Sequence, residues 1–589
     1  MAKASAGELT PRLTPRGTTV LKAFEYQDVR LLPGMLLTQV EQARELYSSI
    51  SNDDILKGFR HEAGRLAPGD GMKGWCKSTS AVIFGQLISG MVRLGRATAD
   101  GALIEKANAL FEGWLETLPP DGNARMRAYD WDKLVCGLVD LGRYSGSKRA
   151  VAALRRTVEW ASRTFDRTRQ PADGHDFWGA GPGDTPEWYT LSENLYRAYL
   201  FFGDPLFKEF ADTWLYHDYW RPFAVTADPY QVLPVHAYSH VNSFSSAAAA
   251  YLVTGDKCYR EICVNGYDFM LKTQCYATGG YGPDERLMPP DGSLGRSLDV
   301  FGYHAEIPCG SWAAFKLSMY LTRFTGEARF GDWIETLVYN AMGATLPPEQ
   351  DGKCFYYGDY RPSGGMKTHY WHEWPCCSGT YIQNMAEYYN MIYLRDDSGL
   401  YVNLFIPSEV TYQQDRQSVT VRQETAYPEA EGSTITLKLK KPARFAIRFR
   451  VPSWSEGMAL AVNGSSLDIP ATQSGWRSID REWKSGDTIA ITIPMALRTV
   501  PVDRQHPDRA AIMYGPVVLA QDEACCRRPL AIAPTTALNT RLIREGEGIR
   551  FRITNTVPER HTRYLQPLYS VPGFWPYWIY FDLASAALY

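Results

Sequence analysis

Two short segments hold the side chains best suited to chemistry: Tyr303-His-Ala-Glu306-Ile-Pro-Cys309-Gly-Ser311 and Trp374-Pro-Cys376-Cys377-Ser-Gly-Thr380. Together they supply three sulfurs and one carboxylate, a donor set that zinc accepts in tetrahedral geometry. Glu-x-x-Cys by itself is a weak signal, whereas adjacent cysteines are rarer. Ser378-Gly379-Thr380 reads as the start of a helix carrying Ile382, Met385 and Tyr389. A thiol at a helix N-terminus ionises more easily, because the backbone N–H groups there are partly positive. An ionised sulfur beside a bound cation would be a nucleophile. A purely structural account also fits the spacing: buried core cysteines, a solvated Glu306 and a vicinal pair without consequence.

Other residues offer weaker signals. His240, His304, His369 and His372 could contact a bound ligand, although a histidine in an aromatic setting is often a packed, hydrogen-bonded core group. In Glu187-Trp-Tyr-Thr-Leu-Ser-Glu193, Tyr189 and Glu193 stand one helical turn apart and could project together, or Trp188 and Tyr189 could simply pack. Asp130-Trp-Asp-Lys133 precedes an apolar run at 134–141 and reads as a helix cap. A second vicinal pair, Cys525-Cys526, has no acidic or histidine neighbour and is assigned no function.

The elements that must position these groups change character near residue 395. Before it, apolar residues recur at helical spacing: Val82, Ile83, Leu87, Ile88, Met91 and Leu94 form one such stripe, predicted to stop at Gly95. Phe202-Gly203-Asp204, Thr254-Gly255-Asp256 and Thr325-Gly326-Glu327 punctuate three further runs in the same manner, which predicts degenerate helical hairpins. Such hairpins, joined by loops rich in Gly, Pro and Trp, build a closed α/α toroid, an (α/α)6 barrel, whose loops line a central pocket. After Leu394 the period falls to two. Residues 434–439, 445–449 and 488–493 alternate as half-buried strands do, with turns at Asn463-Gly464 and Ser485-Gly486-Asp487. The expected organisation is an N-terminal extension over 1–30, a toroidal catalytic domain over 31–395 and one or two β-sandwich domains over 396–589. The aromatic tail at 564–581 is expected to be a closing strand or a lid.

Size and charge restrict the partners. A chain of 589 residues is too long for one ordinary core, which predicts two or three domains. Lys plus Arg number 62 against 65 Asp plus Glu, so no basic excess exists to attract nucleic acid. No apolar run is long enough to span a membrane. Residues 1–20 mix Lys, Glu, Arg and Pro without an apolar h-region, which points to the cytoplasm; a periplasmic location would need a leader already removed. The 11 cysteines show no compact disulfide framework and read as mostly reduced. Aromatics at 13% suit the stacking surfaces of carbohydrate sites. A sandwich beside a toroid also offers a surface for a homodimer.

With Thr278-Gly-Gly-Tyr-Gly282 upstream, the two cysteine segments resemble glycoside hydrolase family 127, the β-L-arabinofuranosidase family, and its relatives; the likeness runs from about residue 31 to the C-terminus. The resemblance implies a carbohydrate substrate, a bound Zn2+ and these roles: Glu285 as acid/base, Glu306, Cys309 and Cys377 as zinc ligands, and Cys376 as nucleophile and further ligand. It also matches His240 to a sugar-binding histidine, and Tyr189, His304 and Trp374 are expected as further substrate contacts from their own positions. The match is imperfect. Two residues separate Glu306 from Cys309 where the family usually has one, Ser378 stands in place of a proline, and Glu285 lies close to its Gly-Gly, so Asp284 is a rival acid. Two family histidines are replaced near Lys133 and Tyr189, which loosens the tie to L-arabinofuranose. The implied reaction is retaining hydrolysis through a thioglycosyl enzyme. Two other readings stay open: a metal-free toroid using paired carboxylates, such as Asp284 and Glu193, for inverting hydrolysis or uronate elimination, and a noncatalytic carbohydrate-binding protein.

Overall fold

The protein is described by a computed structural model covering residues 11–169, 186–229, 235–414, 416–522, 538–554 and 563–583. Six inner helices surround one axis: α1 (Ala81–Thr98), α2 (Ala128–Ser145), α3 (Leu191–Phe202), α4 (Ala237–Thr254), α5 (Ile307–Thr325) and α6 (Cys376–Met391). Each packs on the next, and α6 returns to α1, so the ring is closed. Outer helices Gly101–Leu115, Lys148–Thr164, Pro205–Asp212, Lys257–Thr273 and Phe330–Asn340 follow their inner partners, while Met35–Ser49 covers α6. The result is the (α/α)6 toroid. Inner helices touch neighbours on nearly every side, and α1 and α4 are accordingly buried almost throughout.

The three Gly punctuation marks work as predicted. Gly203, Gly255 and Gly326 sit at φ of 76°, 77° and 74°, the left-handed geometry that closes a helix. Asp204 and Asp256 then accept from the N–H groups of Leu206 and Cys258 to open the outer helices. Gly95 differs from expectation. Helix α1 runs on to Thr98 and ends at Ala99, φ 55°. A Cβ at Gly95 would lie 2.6 Å from Ile104, so this glycine permits close approach of the next helix. The proposed cap at Asp130 is also corrected. Helix α2 begins at Ala128, and Asp130 lies within its first turn, accepting from Arg127 Nε at 2.8 Å.

Helices give way to strands at Met391, and Tyr393–Asp396 already belongs to a five-stranded sheet. That sheet and a seven-stranded one are built mainly from residues of the 393–492 region. The predicted alternation appears in Gly432–Leu439 and Thr488–Thr492, whereas Ala443–Arg450, an inner strand of its sheet, is buried on both faces at Phe445, Ala446 and Ile447. The N-terminal segment is an integral part of these sheets. Lys22–Ala23 pairs with Tyr393–Asp396, and Val29–Leu31 pairs with Ser408–Gln414. A third, nine-stranded sheet follows, and the aromatic tail closes it through Arg563–Pro567, Pro576–Trp578 and Tyr580–Asp582. Pro576–Trp578 also pairs with Gly365–Met366 of the helical region, and Tyr577 Oη donates to Asp359 O at 2.6 Å. Cys525-Cys526 lies outside the described residues. Among the described residues no helix is long and apolar enough to cross a membrane.

Arg450 locks the sheets to the toroid. Its fully buried guanidinium meets Asp332 at 2.5 Å and Glu335 at 2.6 Å, both on the outer helix Phe330–Asn340. Arg450→Met would leave two carboxylates buried without a counter-charge, and we expect a stability loss of about 3–5 kcal/mol. Denaturant unfolding would measure it; a change below about 0.5 kcal/mol would show that the ion pair is dispensable.

Candidate functional site

Two helix N-termini converge on one point. Glu306 is the N-cap of α5 and Cys309 its third residue, while Pro375 caps α6 and Cys376 and Cys377 are its first two residues. Both helices thus present partly positive ends to the same sulfurs and carboxylate. Asn384 on α6 donates to Pro308 O at 2.8 Å and ties the two starts together. The backbone separation of Glu306 from Cys309 does not keep their side chains apart, because a two-stranded ladder pairs Glu306 with Tyr357 and turns the carboxylate inward.

All four groups are buried, and their ligand atoms lie within 4.8 Å of one another. Cys309 Sγ stands 3.7 Å from Cys376 Sγ and 3.4 Å from Cys377 Sγ. Glu306 Oε1 is 3.7 Å from Cys376 Sγ and 3.3 Å from Cys377 Sγ. Metal–sulfur bonds of about 2.3 Å would give tetrahedral edges of about 3.8 Å, so the donor set fits a thiophilic ion such as zinc. Glu306 Oε2 is buried and faces His236 Nε2 at 3.7 Å, beyond hydrogen-bonding distance.

Charge within the cluster is unequal. Hydrogen bonds from Cys309 and Cys377 hold the Cys376 thiol well below its ordinary range, and Lys133 and Tyr356 add to the effect against the cost of burial. Burial pushes Cys309 and Cys377 up instead. Burial, helped by the nearby Cys376 thiolate, raises Glu306 to about 7. One thiolate is therefore favoured among three sulfurs even before any cation is considered. Lys133 supplies its charge from α2, with Nζ 3.7 Å above the Tyr129 ring and donating to Val82 O at 3.1 Å.

A second carboxylate faces this cluster across His236. Glu285 occupies a left-handed turn at φ 59°, accepts from Tyr357 Oη and lies 3.7 Å from His236 Nε2. The same Nε2 is 3.7 Å from Glu306 Oε2, and Nδ1 binds the buried Glu187. Burial disfavours a charged imidazole, but Glu187, Glu306 and Glu285 raise His236 well above its ordinary range. Tyr356, next to Tyr357, points its hydroxyl at Cys376 Sγ at 3.6 Å. Asp284, at φ 52°, is exposed, whereas its neighbour Glu285 is partly buried.

Profiles of known families match most of the chain. The GH127 catalytic domain of β-L-arabinofuranosidases matches residues 28–390, and the GH127 middle domain matches residues 399–495. The chain belongs to glycoside hydrolase family 127. No curated protein sequence matches it. Among solved structures, a GH127 β-L-arabinofuranosidase from Geobacillus stearothermophilus T6 is similar at 18% identity and a TM-score of 0.71, covering 94% of this chain and 100% of that one. The GH127 β-arabinofuranosidase BT3674 is similar at 16% identity and a TM-score of 0.72, covering 96% and 98%. At these identities the likeness speaks for the fold, and the activity class, glycoside hydrolysis, comes with the family.

Within this GH127 member, the sequence-derived residues fall into two sets. Glu306, Cys309, Cys376 and Cys377 form one cluster, and Glu285 joins it through His236. His240 is fully buried one turn beyond His236, with Nδ1 2.8 Å from His236 O and its ring among Tyr189, Tyr216 and Tyr219. Tyr189 bonds Ser239 Oγ at 2.8 Å and stacks on Tyr216. His304 is buried against Tyr360, and burial lowers it to about 4. The Trp374 ring fills the space beside Gly352, whose φ is 79°. Glu193 is bound by Lys316, and Tyr320 Oη donates to it at 3.2 Å, so it does not project with Tyr189. His369 bonds Pro347 O at 2.9 Å, and His372 is exposed beside Tyr370. Sequence reasoning missed His236, Glu187, Tyr356 and Tyr357. His236 and His240 are four apart at the head of one helix, and that spacing was the available signal.

Proposed function

We propose that this chain is a retaining exo-acting β-L-arabinofuranosidase, or acts on a closely related glycoside, with Cys376 as nucleophile, Glu285 as acid/base, and Zn2+ held by Glu306, Cys309, Cys377 and Cys376. The observation that carries the reading is the meeting of Cys376 with three further metal-competent donors within 4.8 Å, with Glu285 facing Glu306 across His236. When bound, zinc would keep the sulfurs deprotonated and make the nucleophilic one a competent leaving group.

The chain's own residues account for the steps. Cys376 Sγ attacks the anomeric carbon as Glu285 gives its proton to the departing glycosidic oxygen. A thioglycosyl enzyme results. Water then enters, Glu285 takes its proton, and the C–S bond breaks with net retention of configuration. Tyr357 holds the Glu285 carboxylate in place through its hydroxyl. His236, bridging Glu187 and the two site carboxylates, would hold sugar hydroxyls at the reacting end.

Proton NMR of p-nitrophenyl β-L-arabinofuranoside hydrolysis, with zinc and reductant present, tests the reading. The β-anomer should appear first and mutarotate afterwards. Initial release of the α-anomer would favour the paired-carboxylate alternative.

A further inference from the structure

Five aromatic rings run from the reacting groups to the surface. Tyr356, whose hydroxyl reaches Cys376, lies 4.3 Å from Tyr357, whose hydroxyl reaches Glu285. Tyr357 lies 4.5 Å from Tyr303, Tyr303 lies 5.8 Å from Trp371, and Trp371 returns through Tyr370 at 4.2 Å to Tyr356 at 4.7 Å. The inner rings are mostly enclosed, yet Trp371 is 55% and Tyr303 41% exposed. Keeping two adjacent large rings in water has a cost, and an exposed aromatic patch in ring contact with reacting groups is a ready contact surface for a ligand.

Direction identifies that occupant. If Glu285 protonates the glycosidic oxygen, the leaving group must extend outward past Glu285, and the aromatic surface reached from it leads through Tyr357 to Tyr303 and Trp371. We propose that Trp371 and Tyr303 form the leaving-group subsite, a shelf on which the sugar ring next to the scissile bond stacks its C–H face. The inference rests on the function proposed above, and it specifies the substrate as a di- or oligosaccharide end. Rigid aromatic rings are well suited to this, since they bring large contact area at low entropic cost. Binding energy gained there, remote from the reacting carbon, can be used in the transition state.

Trp371→Ala, at an exposed position, tests the shelf on three substrates sharing one glycone: a β-L-arabinofuranosyl disaccharide, the methyl glycoside and the p-nitrophenyl glycoside. On the disaccharide kcat/KM should fall about 10-fold or more, on the methyl glycoside it should change less than about 2-fold, and Trp371→Phe should recover most of the loss. Equal effects on the disaccharide and methyl glycoside, or none on either, would overturn the shelf, as would a loss confined to the nitrophenyl glycoside. If the wild-type enzyme turns over none of the three, the function proposed above fails by itself. The shelf is then judged by calorimetric titration of the wild type with arabinobiose and xylobiose: weakening of at least about 5-fold by Trp371→Ala supports it, and no binding or no weakening overturns it.

Discussion

Cys376→Ala is expected to lower kcat for glycoside hydrolysis by about 10⁴-fold or more, equivalent to about 5.4 kcal/mol of transition-state stabilisation. The expectation follows from the position of this sulfur. It is the one thiol of the cluster whose ionisation the surroundings favour, through hydrogen bonds from Cys309 and Cys377 and the charge of Lys133. It also heads α6, where the helix end favours negative charge. Cys376→Ser should be nearly as inactive, because a hydroxyl in the same place stays protonated. Steady-state kinetics on the aryl glycoside would measure both, with metal content determined on the same samples. Alanine removes at most one of four donors, so a variant that keeps its metal and loses turnover isolates the nucleophile. Full activity in Cys376→Ala would defeat the assignment.

Removing the cation should have the next largest effect. Chelation is expected to reduce activity about 10³-fold, with recovery on adding zinc, whereas Cys309→Ser should bind metal far below one equivalent and recover little. Cys309 lies 3.4 and 3.7 Å from the two vicinal sulfurs, so Cys309→Ser takes away a soft sulfur donor that touches both. Elemental analysis and activity measured on one preparation decide the matter. A metal-free protein that hydrolyses at the full rate would refute the zinc assignment and return the paired-carboxylate reading to contention. The folded chain would also lose stability, because removing the ion leaves three sulfurs and a carboxylate crowded together in the interior.

The amino-acid sequence by itself determined the architecture. A switch from helical to alternating apolar spacing placed the end of the toroid within a few residues of Met391, and Gly203, Gly255 and Gly326 marked true helix ends. Such features act over one or two turns of chain, so local chemistry suffices to read them. Gly95 misled because its role is contact with Ile104 on the following helix, which no local pattern records. Only the tertiary structure decided how distant groups meet. Closure of the helix ring sets Cys309 against a pair 67 and 68 residues away, and a short ladder turns Glu306 toward them. Left-handed backbone at Asp284 and Glu285 leaves the first in solvent and the second beside Tyr357 and His236. His236 joins the site and His240 the core because one turn of α4 separates the cleft from the packed interior, and a distinction of that size depends on which neighbours surround the helix.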